Sequence, residues 1–291
     1  MAPSPERYCG RFAPTPSGPL HLGSLVTAVA SWLDARQHEG QWLLRIDDID
    51  PPREQPGAAD EIQRQLNAFG LHWDGDTLFQ SHHHDRYRQA IEQLLAADLA
   101  FHCSMSRTQL ANMGNHHPGP VAAVSASEDT AVRLAVPDEE TCFDDALYGR
   151  CCLNLESAGG AFVIRRRDGL YAYQLACAVD DCYPDITHVL RGDDLLDSTF
   201  RQLHVLTCLD KQAPRYAHLP VIKDAKGNKL SKSAGSAALD MTAPHRDMHR
   251  ALTYLGISVA ANAPPSEQLA QALPQWRSPF GAGEPEQLPL T

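Results

Sequence analysis

The chain has 291 residues, a formal net charge of −11, and 43% hydrophobic residues. That apolar share excludes wholesale disorder, and at this length it can build one large domain or two modest ones. The acidic balance argues against a sequence-independent nucleic-acid coat, which needs excess positive charge, yet leaves room for a local basic groove.

The opening "MAPSPERYCG" lacks the apolar centre of a signal peptide, so a cytoplasmic chain is expected. Tyr8 to Ala13 reads as a first strand. The turn-rich "PTPSGPLHLGS" follows, and then Leu22, Leu25, Val26, Val29 and Leu33 recur at helical spacing up to about Gly40. "QWLLRI" (41–46) is a compact apolar run suited to a buried strand. Helices are predicted over Ala58–Phe69 and about Asp85–Ala97, with "HHH" (82–84) as a solvated helix start. This alternation points to a parallel sheet with right-handed crossovers.

Residues 101–160 break the rhythm and read as an inserted subdomain with small antiparallel strands, including "AVRLAV" (131–136). "AFVIRR" (161–166) reads as a strand before a turn at Asp168-Gly169, and "THVLRG" (187–192) as another. A helix capped by Asp197 or Ser198, a strand at "HLPVI" (218–222), an exposed loop "KDAKGNKLSKS" and a helix over Pro244–Leu255 complete the pattern. The Pro- and Ala-rich tail is expected to be loosely ordered. No run of about 18 apolar residues occurs, so no membrane span is expected. The eight cysteines form no CxxC pair and are expected to be small buried hydrophobes rather than a disulfide framework.

Two stretches carry chemistry. A strand, a tight turn and a helix start make a phosphate site, because the first helical N–H groups lack internal partners and the dipole is positive there. Gly18 and Gly23 let backbone approach a ligand, and His21 at the join can donate a hydrogen bond. Far downstream, "KLSKS" (229–233) puts two lysines and two serines on one Gly-containing loop, suited to closing on a polyphosphate. Each alone also reads blandly, as a Pro-rich turn and a solvated basic loop.

Taken together, "HLGS" (21–24) and "KLSKS" are similar to the "HIGH" and "KMSKS" signatures of class I aminoacyl-tRNA synthetases. "RFAPTPSGPLHLGS" (11–24), "LRIDDID" (44–50), "YAYQLACAVDD" (171–181) and "HVLRGDDLL" (188–196) resemble the glutamyl branch. The resemblance covers about residues 7–240 and is weak in the insertion. It implies a Rossmann-like, doubly wound α/β fold with an inserted connecting subdomain and a short helical C-terminal part. The implied divisions are 1–100 and 161–240 for the two catalytic halves, 101–160 for the insertion and 241–291 for the C-terminal segment. Only 58 residues follow Ser233, so no anticodon-binding domain is expected. The resemblance is therefore to truncated members of the branch, which attach glutamate to the queuosine base at the wobble position of tRNA(Asp).

The implied reaction activates L-glutamate with ATP, with Mg²⁺ accompanying the nucleotide, and then passes the glutamyl group to a hydroxyl. By resemblance, His21, Gly23, Ser24 and Lys232 serve ATP; of the catalytic set His21, Lys229 and Lys232, His21 contacts the phosphates from the helix N-terminus and the two lysines neutralise developing charge. Arg11, Phe12, Ala13, Pro14, Thr15, Asp47, Tyr173 and Arg191 line the glutamate site. Asp47 stands where the family pattern "RIEDTD" has glutamate, one methylene longer. The alternative roles are an ion pair for each arginine, helix caps for Asp47, Asp48 and Asp50, and core packing for Tyr173. The family's cysteine set for zinc is incomplete, since Met105 follows Cys103 where a second cysteine is expected, so zinc is expected to be absent. Alternative activities are charging of a tRNA 3′ end, a same-fold nucleotidyltransferase acting on another carboxylate, and a non-catalytic tRNA-binding relic. With no heptads or apolar tail, a monomer is expected.

Overall fold

The central strands are short runs of mostly buried residues, and Gly- or Pro-bearing turns follow them. The computed structural model describes residues 7–127, 129–222 and 238–281. In chain order these carry β1 (Cys9–Phe12), α1 (Leu22–Gln37), β2 (Gln41–Ile46), α2 (Ala58–Ala68), β3 (Leu78–Phe79), α3 (His84–Ala96) and β4 (Ala100–Cys103). Next come α4 (Arg107–Asn112), β5 (Ala131–Leu134), β6 (Glu140–Asp145), β7 (Gly149–Asn154), β8 (Phe162–Arg165) and α5 (Tyr173–Asp181). The series ends with β9 (His188–Gly192), α6 (Leu196–Cys208), β10 (Arg215–Leu219), α7 (Pro244–Tyr254) and α8 (Pro265–Ala272).

Among the described residues, a seven-stranded sheet has the order β3-β2-β1-β9-β10-β6-β7. Its pairs are parallel except β6–β7, a hairpin on one edge. This is the α/β, doubly wound arrangement expected. One face packs on α1, α7 and α8 through Leu25, Val29, Trp42, Leu44, Met248, Leu252 and Trp276. The other carries α5 and α6. β4, β5 and β8 form a small antiparallel sheet beside α3 and α5. The stretch 101–160 is thus shared between two sheets, because the β6–β7 hairpin joins the large one.

The alternation of side chains along a strand builds the ligand end of the sheet. On the α5 face, Cys9, Leu43, Val189, Tyr216 and Phe143 form an apolar row. Two residues further along each strand, on the same face, stand Arg11, Arg45, Arg191, His218 and Asp145. All five are buried. They lie at the carboxyl ends of parallel strands, where open α/β sheets bind ligands.

Five expectations are corrected. α6 begins at Leu196 with Leu195 as N-cap, since a turn of 3₁₀ helix over Asp193–Leu195 leads straight into it, leaving Asp197 in the first turn rather than at the cap. The last sheet strand is Arg215–Leu219, not 218–222, because Pro220 has no N–H to continue the ladder. His83 is not solvated: its Nδ1 lies 2.9 Å from the buried Asp180 carboxylate.

The tail up to residue 281 is ordered. α8 packs on the core, and Trp276 is buried with its indole N–H donating to Asp34 Oδ1 at 2.9 Å. Finally, Cys142 and Cys152 form a disulfide. They face each other directly across the β6–β7 hairpin, a pairing that scattered sequence positions conceal.

Trp276 ties the tail to the first helix through both its ring and its N–H. Trp276→Ala should lower the unfolding free energy by about 3–5 kcal/mol in urea titration, the usual cost of emptying a large core site. A loss below about 1 kcal/mol would show that the tail contributes nothing to the core.

Candidate active site

The turn after β1 and the N-terminus of α1 wall a cavity of about 590 Å³. Its lining includes Arg11, Phe12, Ala13, Pro14, Thr15, His21, Gly23, Ser24, Tyr173 and Arg191. A second cavity of about 760 Å³ shares Ala13, Thr15 and Tyr173 with it and adds Asp47. The structure therefore gathers ten of the expected site residues around one cavity and places Asp47 in its neighbour. Lys229 and Lys232 lie outside the described residues.

His21 is the N-cap of α1, in extended conformation, and its Nδ1 accepts the Ser24 N–H at 3.3 Å. Its ring thus sits at the positive end of a 16-residue helix. The preceding turn is pinned to β2, since Asp47 N–H donates to Pro14 O at 3.0 Å.

The floor is a buried ionic cluster. Arg11 Nε donates to Asp181 Oδ1 at 3.2 Å and its Nη2 to Oδ2 at 3.3 Å. Arg45 donates to the same Asp181 Oδ1 at 2.6 Å and to Asp47 Oδ1 at 2.7 Å. Cys177, one helical turn before Asp181 on α5, touches both guanidiniums. Burial alone would raise the Asp181 carboxyl, but Arg11 and Arg45 outweigh it and hold the group at about 2. At Asp47 the balance tips the other way: burial raises the carboxyl despite Arg45. Burial also raises the Tyr173 hydroxyl, keeping it protonated and able to donate.

Arg191 is held differently. Its Nε donates to His218 Nε2 at 3.1 Å and its Nη2 to Thr199 Oγ1 at 2.7 Å. Its Nη1 is buried without a hydrogen-bond partner among the described residues. Because the side chain lines the first cavity, a ligand oxygen there would complete it.

Around the second cavity stand Arg53, Arg107, Arg166 and Arg201. Away from both cavities, Cys103 Sγ lies 3.1 Å from His117 Nε2, and both residues are buried. That is one thiol and one imidazole, against the four donors of a structural zinc site. Among the described residues, Glu140, Cys142 and Cys152 cluster most like a metal site, but both sulfurs are already in the disulfide.

Residues 9–263 match the family described as tRNA synthetases class I (E and Q), catalytic domain. The chain belongs to that family. It is 48% identical over 274 residues to a Glutamyl-Q tRNA(Asp) synthetase of Pseudomonas putida, covering 93% of this chain and 91% of that protein. A protein of the same name from Xanthomonas oryzae is 51% identical over 255 residues, 87% of this chain and 84% of that one.

Among solved structures, a glutamate tRNA ligase from Elizabethkingia meningosepticum, in complex with its amino acid, superimposes with a TM-score of 0.78 at 25% identity. That match covers 92% of this chain but only 64% of the ligase, so this chain spans less than two thirds of it. Mycobacterium tuberculosis methionyl-tRNA synthetase shares the fold, with a TM-score of 0.57 at 13% identity, covering 84% of this chain and 64% of that one.

In this class I synthetase chain, motif reading passed over Arg45, Asp181, Thr199, His218 and Asp145. A signal existed for two of them. Arg45 interrupts the apolar run "QWLLRI", and Asp181 ends the largely apolar "LACAVDD"; a charge inside a buried element needs a partner.

The depressed Asp181 carboxyl implies a pH dependence. Its folded value lies below the unfolded one, so its contribution is present above about pH 4 and is lost as pH falls toward 2. Asp181→Asn should cost about 3–5 kcal/mol at pH 7 by leaving two buried guanidiniums undercompensated, and should flatten the acid limb of the stability profile. Urea titrations at several pH values measure both.

Proposed function

We propose that this chain activates L-glutamate with ATP, accompanied by Mg²⁺, and transfers the glutamyl group to the queuosine base at the wobble position of tRNA(Asp). One observation carries the glutamate reading: Arg191 is buried in the cavity wall with one guanidinium nitrogen unpaired among the described residues, beside a helix N-terminus. An unpaired buried cation end calls for an anionic ligand, and a carboxylate is the planar partner a guanidinium fits best. The names of relatives that match most of their own length supply the acceptor.

In the first step a glutamate carboxylate oxygen attacks the α-phosphorus of ATP. A new O–P bond forms, the bond to the β-phosphate oxygen breaks, and pyrophosphate leaves. Little covalent assistance is needed; positioning and charge neutralisation dominate. Arg191 holds one glutamate carboxylate. Asp47 accepts from the ammonium through Oδ2, which Arg45 holds only by the longer of its two bonds, 3.5 Å against 2.7 Å, and the Tyr173 hydroxyl donates to the ligand from the shared wall. His21, Gly23 and Ser24 present the α1 N-terminus to the phosphates, and Lys229 and Lys232 close from the downstream loop. In the second step an acceptor hydroxyl attacks the acyl carbon, AMP departs, and the hydroxyl proton is lost. The second cavity, lined by Arg53, Arg107, Arg166 and Arg201 against Asp47, Asp50 and Asp194, receives the acceptor nucleotide.

Glutamate-dependent ATP–pyrophosphate exchange tests the first step, and transfer of labelled glutamate to tRNA(Asp) with and without queuosine tests the second. Exchange with glutamate but not aspartate, and label on queuosine-containing tRNA alone, are expected. No exchange would overturn the activation reading. Label on the 3′ end of unmodified tRNA would overturn the acceptor reading and leave activation standing.

Two variants give finer checks. Arg191→Ala should raise the KM for glutamate about 10- to 100-fold with little change in the KM for ATP, the scale of one lost charge-assisted pair. Lys232→Ala should cut exchange about 100-fold while equilibrium dialysis shows glutamate still binding.

A further inference from the structure

The ionic partners of the three arginines differ in kind. Arg11 and Arg45 share Asp181, and Arg45 also holds Asp47, so two positive charges meet two negative ones. Arg191 makes no salt bridge among the described residues; its Nε faces an imidazole instead. A carboxylate in that place would pair with the guanidinium and compete with an incoming ligand carboxylate. A neutral imidazole accepts the hydrogen bond and leaves the positive charge available.

That arrangement requires one tautomer. A guanidinium only donates, so His218 Nε2 must present its lone pair to Arg191. The ring proton then sits on Nδ1, which lies 2.6 Å from Asp145 Oδ2. Asp145 is itself fixed, because its Oδ1 accepts the N–H groups of Leu147 and Tyr148 at 3.0 Å each and that of His218 at 3.3 Å. Thr199 Oγ1 closes the arrangement 3.0 Å from Nε2. The relative exposure of Asp145, His218, Thr199 and Arg191 is 3% or less, so water does not compete for these bonds.

Resting on the glutamate reading of Arg191, we propose that Asp145 and His218 are positioning residues for that reaction. Asp145 locks His218 as the Nδ1–H tautomer, and His218 thereby aims the Arg191 guanidinium, with Nη1 directed to the ligand carboxylate. Neither residue touches substrate. Asp145 ends the edge hairpin strand and His218 lies in the adjacent strand, so the edge of the sheet sets the aim of a group in the cavity wall.

Asp145→Asn tests this with almost no change of shape. The new amide must keep its oxygen on the Leu147 and Tyr148 N–H groups, so its NH₂ faces His218 Nδ1. The ring then moves its proton to Nε2, and two N–H groups oppose each other at Arg191. The expected result is a rise of at least about tenfold in the KM for glutamate in ATP–pyrophosphate exchange, with the KM for ATP within about twofold. Nitrogen-15 NMR of labelled histidine should place the His218 proton on Nδ1 in the unaltered protein and on Nε2 in the variant. His218→Gln, whose amide can turn its oxygen to Arg191 and its NH₂ to Asp145, should recover a KM for glutamate within about threefold, and adding Asp145→Asn to it should raise that KM again, because the amide must then flip and oppose the guanidinium with its own N–H groups.

An unchanged KM for glutamate in Asp145→Asn, or a His218 proton found on Nε2 in the unaltered protein, overturns the inference. Should the unaltered protein show no glutamate-dependent exchange, it is the functional reading that falls, and the NMR result still decides the tautomer lock.

Discussion

Arg11 on the first strand and Arg45 on the second reach the same carboxylate, Asp181, delivered by a helix lying across the sheet face. Three charges have been taken out of water at one point, at a desolvation cost of several kcal/mol each, and only mutual pairing offsets it. Such a cluster adds little net stability compared with apolar packing, but it tolerates few geometries. It fixes the height of α5 over the strand ends, and α5 begins with Tyr173 in the wall shared by both cavities.

The row of charges across the sheet divides into two working parts. On one side Arg45, Arg11, Asp181 and Asp47 balance one another and form a floor with little charge left over. On the other, Arg191 is aimed by neutral acceptors and, among the described residues, keeps one guanidinium nitrogen without a partner. Asp145, the anion on that side, is separated from Arg191 by the width of a ring. Burial works to raise its carboxyl, but the His218 hydrogen bond and nearby N–H groups bring it below the usual range, and burial lowers the His218 imidazole. The pair is thus an anion and a neutral ring, the protonation that a donor-only guanidinium requires.

The succession of elements was largely legible because it rests on local rules. Apolar periodicity marked the strands at 41–46 and 187–192 and the helices on either side of them. What escaped were features set by distant partners. Pro220 ends the last strand of the large sheet, yet the apolar "HLPVI" reads through it. Trp276 looks like part of a loose Pro- and Ala-rich tail until Asp34, on the first long helix, is found beside it. Cys142 and Cys152 become neighbours only once the hairpin between them closes.

The candidate site shows the same division. By itself the amino-acid sequence determined the alternating α/β order, the turn and helix start that hold His21, and the stretches that bring Arg11, Asp47, Tyr173 and Arg191 into view, since each depends on a contiguous run of residues. Only the tertiary structure decided what those side chains do with their charge. Arg11 is spent on Asp181 and Arg191 is left open. The difference lies in residues 170 and 27 positions away along the chain, which strand register and helix packing bring within hydrogen-bond reach. Electrostatics at this site is a property of neighbours in space, and no local pattern specifies which neighbour a buried arginine will find.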